Sequence, residues 1–146
     1  EGEQILIDYK TGSTNTNTWF MERIQDPQLP LYTIKSSPTA IAFAHISKGS
    51  LKWKSIWDPI IPNHFPEKSK VKIPLNIEEE IGWPNWSSLL KFWEIKLKEL
   101  ADNFMEGQIV TNPINQDETC RNCNYAMLCR IGENASDVNS LENIDV

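Results

Sequence analysis

Asp8 and Lys10 lie two residues apart at the end of an Ile-rich run, Gln4-Ile5-Leu6-Ile7. Side chains of an extended chain alternate, so the two fall on one face with Tyr9 opposite. A carboxylate able to hold a hard divalent cation such as Mg²⁺ then sits beside an ammonium able to neutralise developing negative charge. Hydrolysis of a phosphodiester requires that combination. Gln28 and Tyr32 are four residues apart, the spacing of one helix face. Near the other end, Cys120, Cys123 and Cys129 follow a C-x2-C-x5-C pattern. Three thiols in one short segment of a cytosolic chain fit metal better than disulfides, and thiolates select zinc or iron-sulfur.

The elements that must position these groups read as α/β. The alternating run through Asp8 and Lys10 predicts a strand that ends at Gly12, and Ser13 to Asn17 is a polar loop. Asp26 is placed as N-cap and Pro27 as first-turn residue of a helix running to about Ile34, with Pro30 early enough to be tolerated. Thr39 to Ser47 predicts a strand buried on both faces, with Ile41, Phe43 and His45 on one side and Ala42, Ala44 and Ile46 on the other. Gly49-Ser50 turns the chain into a half-exposed strand, Leu51 to Trp57, making a hairpin. Asp58 to Lys70, with Pro59, Pro62 and Pro66, is a long loop. A helix from about Ser87 to Glu106 carries Leu89, Trp93, Leu97, Leu100 and Phe104 as a core stripe. Glu94 can pair with Lys98, and Gly107 ends the helix. Gly107 to Thr119 is an extended passage into the cysteines, broken by Pro113.

Composition narrows the class. The 146 residues are 40% hydrophobic with six Trp, enough for one modest core, so a single domain or a piece of one is expected. No membrane-span or signal-peptide pattern occurs, which points to a cytoplasmic chain. The N-x-S sites at Asn85 and Asn134 are then chance matches. A net charge of -6 argues against sequence-independent nucleic-acid binding through a basic domain, without excluding a metal-dependent site that needs carboxylates. Part of the acidity lies in residues 133–146, read as a disordered tail beyond a domain of residues 1–132. Lys52 with Lys54, and Lys68 with Lys70 and Lys72, would each share one strand face and are read as solvated edges.

A resemblance joins the motifs. Ile7-Asp8-Tyr9-Lys10-Thr11-Gly12 is similar to the (D/E)-x-K strand of the PD-(D/E)XK nuclease superfamily, and Gln28 to Tyr32 resembles the Q-x-x-x-Y element of its RecB and AddB branch. Cys120 to Arg130 resembles the C-terminal cysteine cluster of AddB-like members, and the three matches fall in family order. The resemblance implies a mixed sheet flanked by helices and a DNA exonuclease of repair or recombination working beside a helicase. It implies catalytic Asp8 and Lys10, Asp8 also holding Mg²⁺, with Gln28 and Tyr32 on the helix bordering the site. Gln28 would hydrogen-bond near the catalytic centre or the DNA backbone, whereas Tyr32 is expected to pack on the sheet. Cys120, Cys123 and Cys129 would bind a 4Fe-4S cluster with a fourth Cys from far upstream. The alternative is zinc completed by His45 or His64, although His45 reads as a core residue and His64 as a loop residue.

In that family another acidic ligand comes from the strand before the (D/E)-x-K strand, and this sequence begins only seven residues ahead of Asp8. Glu1 and Glu3 lie on or beside the same strand and cannot replace it. The expectation is a C-terminal part of a nuclease domain that cleaves DNA poorly alone and could pair with a second copy through its open sheet edge. The competing expectation is a non-catalytic nuclease-fold module that holds DNA or a helicase partner.

Overall fold

Alternation carries the first strand. β1 (Ile5–Lys10) sets Leu6, Asp8 and Lys10 on a partly covered face and leaves Ile5, Ile7 and Tyr9 exposed on the other. The computed structural model describes residues 3–62, 64–108, 110–129 and 131, so the tail expected over 133–146 lies outside the described residues. The chain divides into two units, Glu1–Glu106 and Gly107–Val146.

In the first unit β1 pairs in parallel with β2 (Ala40–Ser47), which pairs antiparallel with β3 (Ser50–Trp57), giving the order β1-β2-β3. The central strand is buried on both faces from Ala40 to Ala44, as its apolar run requires. Gly49, at φ 74°, closes the hairpin where a side chain would be strained. The parallel pairing starts at Thr39, whose backbone N–H and hydroxyl both donate to the Gln4 carbonyl at 2.9 and 3.0 Å.

The crossover from β1 to β2 holds a 3-10 turn at Thr16–Phe20 and helix α1 (Gln28–Ser36). The turn lies partly in the stretch expected to be a polar loop. Asn15 caps it, and Trp19 and Phe20 drop into the core, so burial of two large rings orders a segment whose flanks look polar. In α1 the N-cap is Pro27 and not Asp26. Pro30 costs little there, because helical bonding begins just after it with Leu31 N–H donating to the Pro27 carbonyl at 2.8 Å.

Beyond β3 the chain makes a 3-10 turn, Glu67–Ser69, and touches β3 through one bridge, Ser55 to Lys70. The lysines there are thus not on a regular strand. Helix α2 (Leu75–Ile81), which the sequence pattern did not reveal, buries Ile77 and Ile81. Helix α3 (Trp86–Met105) starts at Asn85, whose side chain accepts from Ser88 N–H. Its first half buries Trp86, Leu89, Phe92 and Trp93, whereas Phe104 and Met105 at its end are each 82% exposed. The core stripe therefore stops midway. Glu94 pairs with Lys91 at 2.7 Å rather than with the expected Lys98. The core clusters between the sheet and these helices, with Trp19, Phe43 and Trp93 mutually in ring contact through Trp19.

The second unit contains helices α4 (Gln116–Cys120), capped by Asn115, and α5 (Ala126–Cys129). The expected extended passage thus ends early, at the Asn115 cap. No helix among the described residues is long and apolar enough to cross a membrane.

Candidate active site

Strand register sets the surroundings of Asp8 and Lys10. Across the helix-covered face the first row is Leu6, Ile41 and Ile56, the next Asp8, Phe43 and Lys54, and the third Lys10, His45 and Lys52. The face thus changes from apolar to ionic toward the C-terminal end of β1. At that end Lys10 Nζ lies 2.9 Å from Asp8 Oδ2, 3.4 Å from Gln28 Oε1 and 5.4 Å from the centre of the Phe43 ring. The geometry brings three of the four residues singled out on this unit's candidate site into one cluster. Tyr32, four residues beyond Gln28, is 49% exposed and lies outside the core cluster.

The electrostatics of the cluster favour a charged ammonium. The hydrogen bond to Asp8 raises the Lys10 pKa above its ordinary 10.5; burial pulls it down, and the charges of Asp8 and then Asp26 add to the rise. Asp26 therefore contributes to the site although its sequence position suggested only a helix cap. Lys54 lies across Phe43 from Asp8, and its ammonium donates to the Thr14 carbonyl. Phe43 and Lys54 were not legible as site neighbours. The hairpin pattern links Phe43 to Lys54, but no local signal links either to Asp8.

Asp8 Oδ2 is buried, and its partner is the Lys10 ammonium at 2.9 Å. A carboxylate oxygen shielded from water and held against an ammonium sits in surroundings that suit a cation. One corner of a divalent-metal site therefore fits. Among the described residues no group of three or more His, Cys, Asp or Glu side chains could hold a metal, so the remaining corners are not supplied there. Glu3, the acid just before β1, pairs with His64 at 2.5 Å.

The second unit shows the cysteines locally. Cys123 N–H donates to the Cys120 carbonyl at 3.1 Å, and Tyr125 N–H donates to Cys123 Sγ at 3.4 Å. A backbone donor to sulfur stabilises a thiolate, so the donor chemistry suits a soft metal or cluster. All three thiols are unpaired, with Cys123 exposed and the others partly so, and they do not converge as a three-ligand group. The thiols fit a cluster in kind but not in placement. His45 and His64 belong to the first unit: His64 lies in a loop, as its sequence context implied, whereas His45 on β2 is only partly buried, because the strand leaves the core after Ala44, and is not the core residue expected.

Comparison with known proteins agrees with the geometry. A family model described as the PD-(D/E)XK nuclease superfamily matches residues 1–130. No curated protein and no solved structure matches the chain.

Proposed function

Because the chain belongs to the PD-(D/E)XK nuclease superfamily, we propose that β1 carries part of a Mg²⁺-dependent deoxyribonuclease site of RecB/AddB type, acting in DNA repair or recombination beside a helicase. The observation that carries this reading is the buried Asp8 Oδ2 held against the Lys10 ammonium at 2.9 Å on one face of β1. Asp8 is the proposed metal ligand. A bound divalent ion supplies activation of water and neutralisation of phosphate charge. Lys10 stabilises negative charge that develops on the phosphoryl oxygens. Gln28 accepts from Lys10 and is a positioning residue that holds the ammonium over Phe43. Tyr32, half exposed on the same helix, is available to the DNA backbone.

Among the described residues no three-ligand group forms around Asp8, so on this reading hydrolysis by the chain alone is slow. The test reads metal and cleavage separately. Mn²⁺ binding, followed by electron paramagnetic resonance, is expected in the unaltered chain and lost in Asp8→Asn. Residual Mg²⁺-dependent cleavage of labelled DNA falls on the order of 100-fold in Lys10→Ala with DNA binding retained. Retained Mn²⁺ affinity in Asp8→Asn would overturn the ligand role, and unchanged cleavage in Lys10→Ala would leave a DNA-holding module. Robust cleavage by the chain itself, abolished by Asp8→Asn, would refute the incompleteness.

The same reading assigns Cys120, Cys123 and Cys129 to a 4Fe-4S cluster with a fourth ligand beyond these three thiols. Support comes from the Tyr125 N–H donated to Cys123 Sγ. Protein purified without oxygen should be brown with iron-sulfur absorbance. A colourless protein containing zinc sinks the assignment.

A further inference from the structure

On the far side of β3 from β1, a groove of about 610 Å³ is lined by Lys68, Lys70, Lys72, Leu75, Glu78 and Trp83. Its wall is pinned to the sheet. Val71 N–H donates to the Ser55 carbonyl at 2.8 Å, and the buried hydroxyls of Ser55 and Ser69 lie 2.7 Å apart. From that anchor the chain alternates: Ser69, Val71 and Ile73 are buried, while Lys68, Lys70 and Lys72 are exposed. The alternation from Ser69 to Ile73 leaves Lys70 and Lys72 exposed, and the 3-10 turn Glu67–Ser69 brings Lys68 to the same groove. Lys70 Nζ also lies 5.6 Å from the centre of the Trp57 ring.

Among the described side chains, none of these lysines forms an ion pair. Three ammoniums against the one carboxylate of Glu78 concentrate positive charge in a chain whose net charge is -6. A solvated edge accounts for single lysines on a strand, but not for three on one concave wall opposite Trp83 and the 75% exposed Leu75. Cations beside an exposed leucine and a partly exposed indole are a combination that grips a single strand: charge tracks the backbone and a ring face stacks on a base.

We propose that this groove binds single-stranded DNA, as an interaction surface separate from the Asp8 and Lys10 cluster. The identity of the polyanion rests on the nuclease reading; the existence of the anion site rests on the groove alone.

Fluorescence anisotropy of a labelled oligo(dT) with the full chain tests it. Binding is expected to weaken with salt. The exposed-lysine variant Lys68→Ala/Lys70→Ala/Lys72→Ala should bind at least 10-fold more weakly, with the slope of log affinity against log salt reduced by about 2, the value for three lost phosphate contacts on a single strand. Folding is checked by circular dichroism, to which these surface changes should be silent. Absence of oligo(dT) binding, or unchanged affinity and slope in the triple variant, overturns the proposal. Equal affinity for inorganic polyphosphate overturns the nucleic-acid assignment. Mn²⁺ affinity reads the Asp8 cluster and stays unchanged in the triple variant, so failure of the groove and failure of the nuclease reading are told apart.

Discussion

At one end of the helix-covered sheet face, Leu6, Ile41 and Ile56 line up across the three strands; one row further on stand Asp8, Phe43 and Lys54, and then Lys10, His45 and Lys52. The rows lie about 7 Å apart along the strands. The ends differ in strand composition, apolar against ionic, and in their surroundings. The apolar row meets the indoles and leucines of α3, whereas the ionic rows meet the start of α1, where Gln28 reaches Lys10. One end contributes stability through buried area; the other keeps ionic groups partly hydrated and paired, Lys10 with Asp8 and Gln28 and Lys54 with the Thr14 carbonyl. Phe43 stands between them, packed on Trp19 at 4.9 Å and beneath Lys10 at 5.4 Å.

The contrast is most exposed to a core truncation. Trp93→Ala removes a fully buried ring whose Nε1–H donates to the Trp19 carbonyl at 2.9 Å, and should cost about 3–5 kcal/mol in urea unfolding. Phe104→Ala, on the exposed end of the same helix, should stay within about 0.5 kcal/mol, although a stripe of equal spacing contains both residues. If both cost the same, the core extends further along α3 than the burial of its side chains indicates.

At the ionic end the expected order of effects reverses. Lys10→Ala should change stability by no more than about 1 kcal/mol, since the pair with Asp8 is partly solvated at 29% and 21% exposure, while residual cleavage is lost. A stability loss as large as that of Trp93→Ala would make the pair structural. Between the ends, a double-mutant cycle of Lys10→Ala with Phe43→Leu should give a coupling of about 0.5–1 kcal/mol, the worth of the ammonium over the ring. Zero coupling would separate the two ends completely.

The smallest effect is the alkaline one. The Lys10 pKa is raised in the folded state, first by its hydrogen bond to Asp8, so its stabilisation is complete below 10.5 and disappears as pH rises through the raised value. Lys10→Met should flatten that part of the alkaline unfolding profile. An identical profile in the variant would show that the loss belongs to other groups.

How far the sequence was readable follows the range of the interactions. The strands around Asp8, Phe43 and Trp53, the hairpin at Gly49 and the long helix were legible because alternation, a turn residue and a stripe are local. The short α2 was not, because Leu75–Ile81 offers too few turns for a periodic signal. Asp26 looked like a cap because its type and place beside Pro27 suited one, yet its charge acts on Lys10. Trp19 and Phe20 were hidden in a polar stretch, and only their partners Phe43 and Trp93 explain their order.

The sequence by itself determined which residues could do chemistry and which face of its strand each would take, since a period of two leaves Asp8 and Lys10 no other arrangement. The family match spans residues 1–130. Tertiary structure alone decided what surrounds them. No short turn sets the parallel register of β1 against β2; it depends on the Thr39 contacts with Gln4 and on α1 packing beside α3. Through that register Phe43 lies under Lys10, Gln28 comes within reach, and one oxygen of Asp8 is buried. Long-range pairing also anchors Ser69 to Ser55 and turns three lysines of an apparent loop toward one groove.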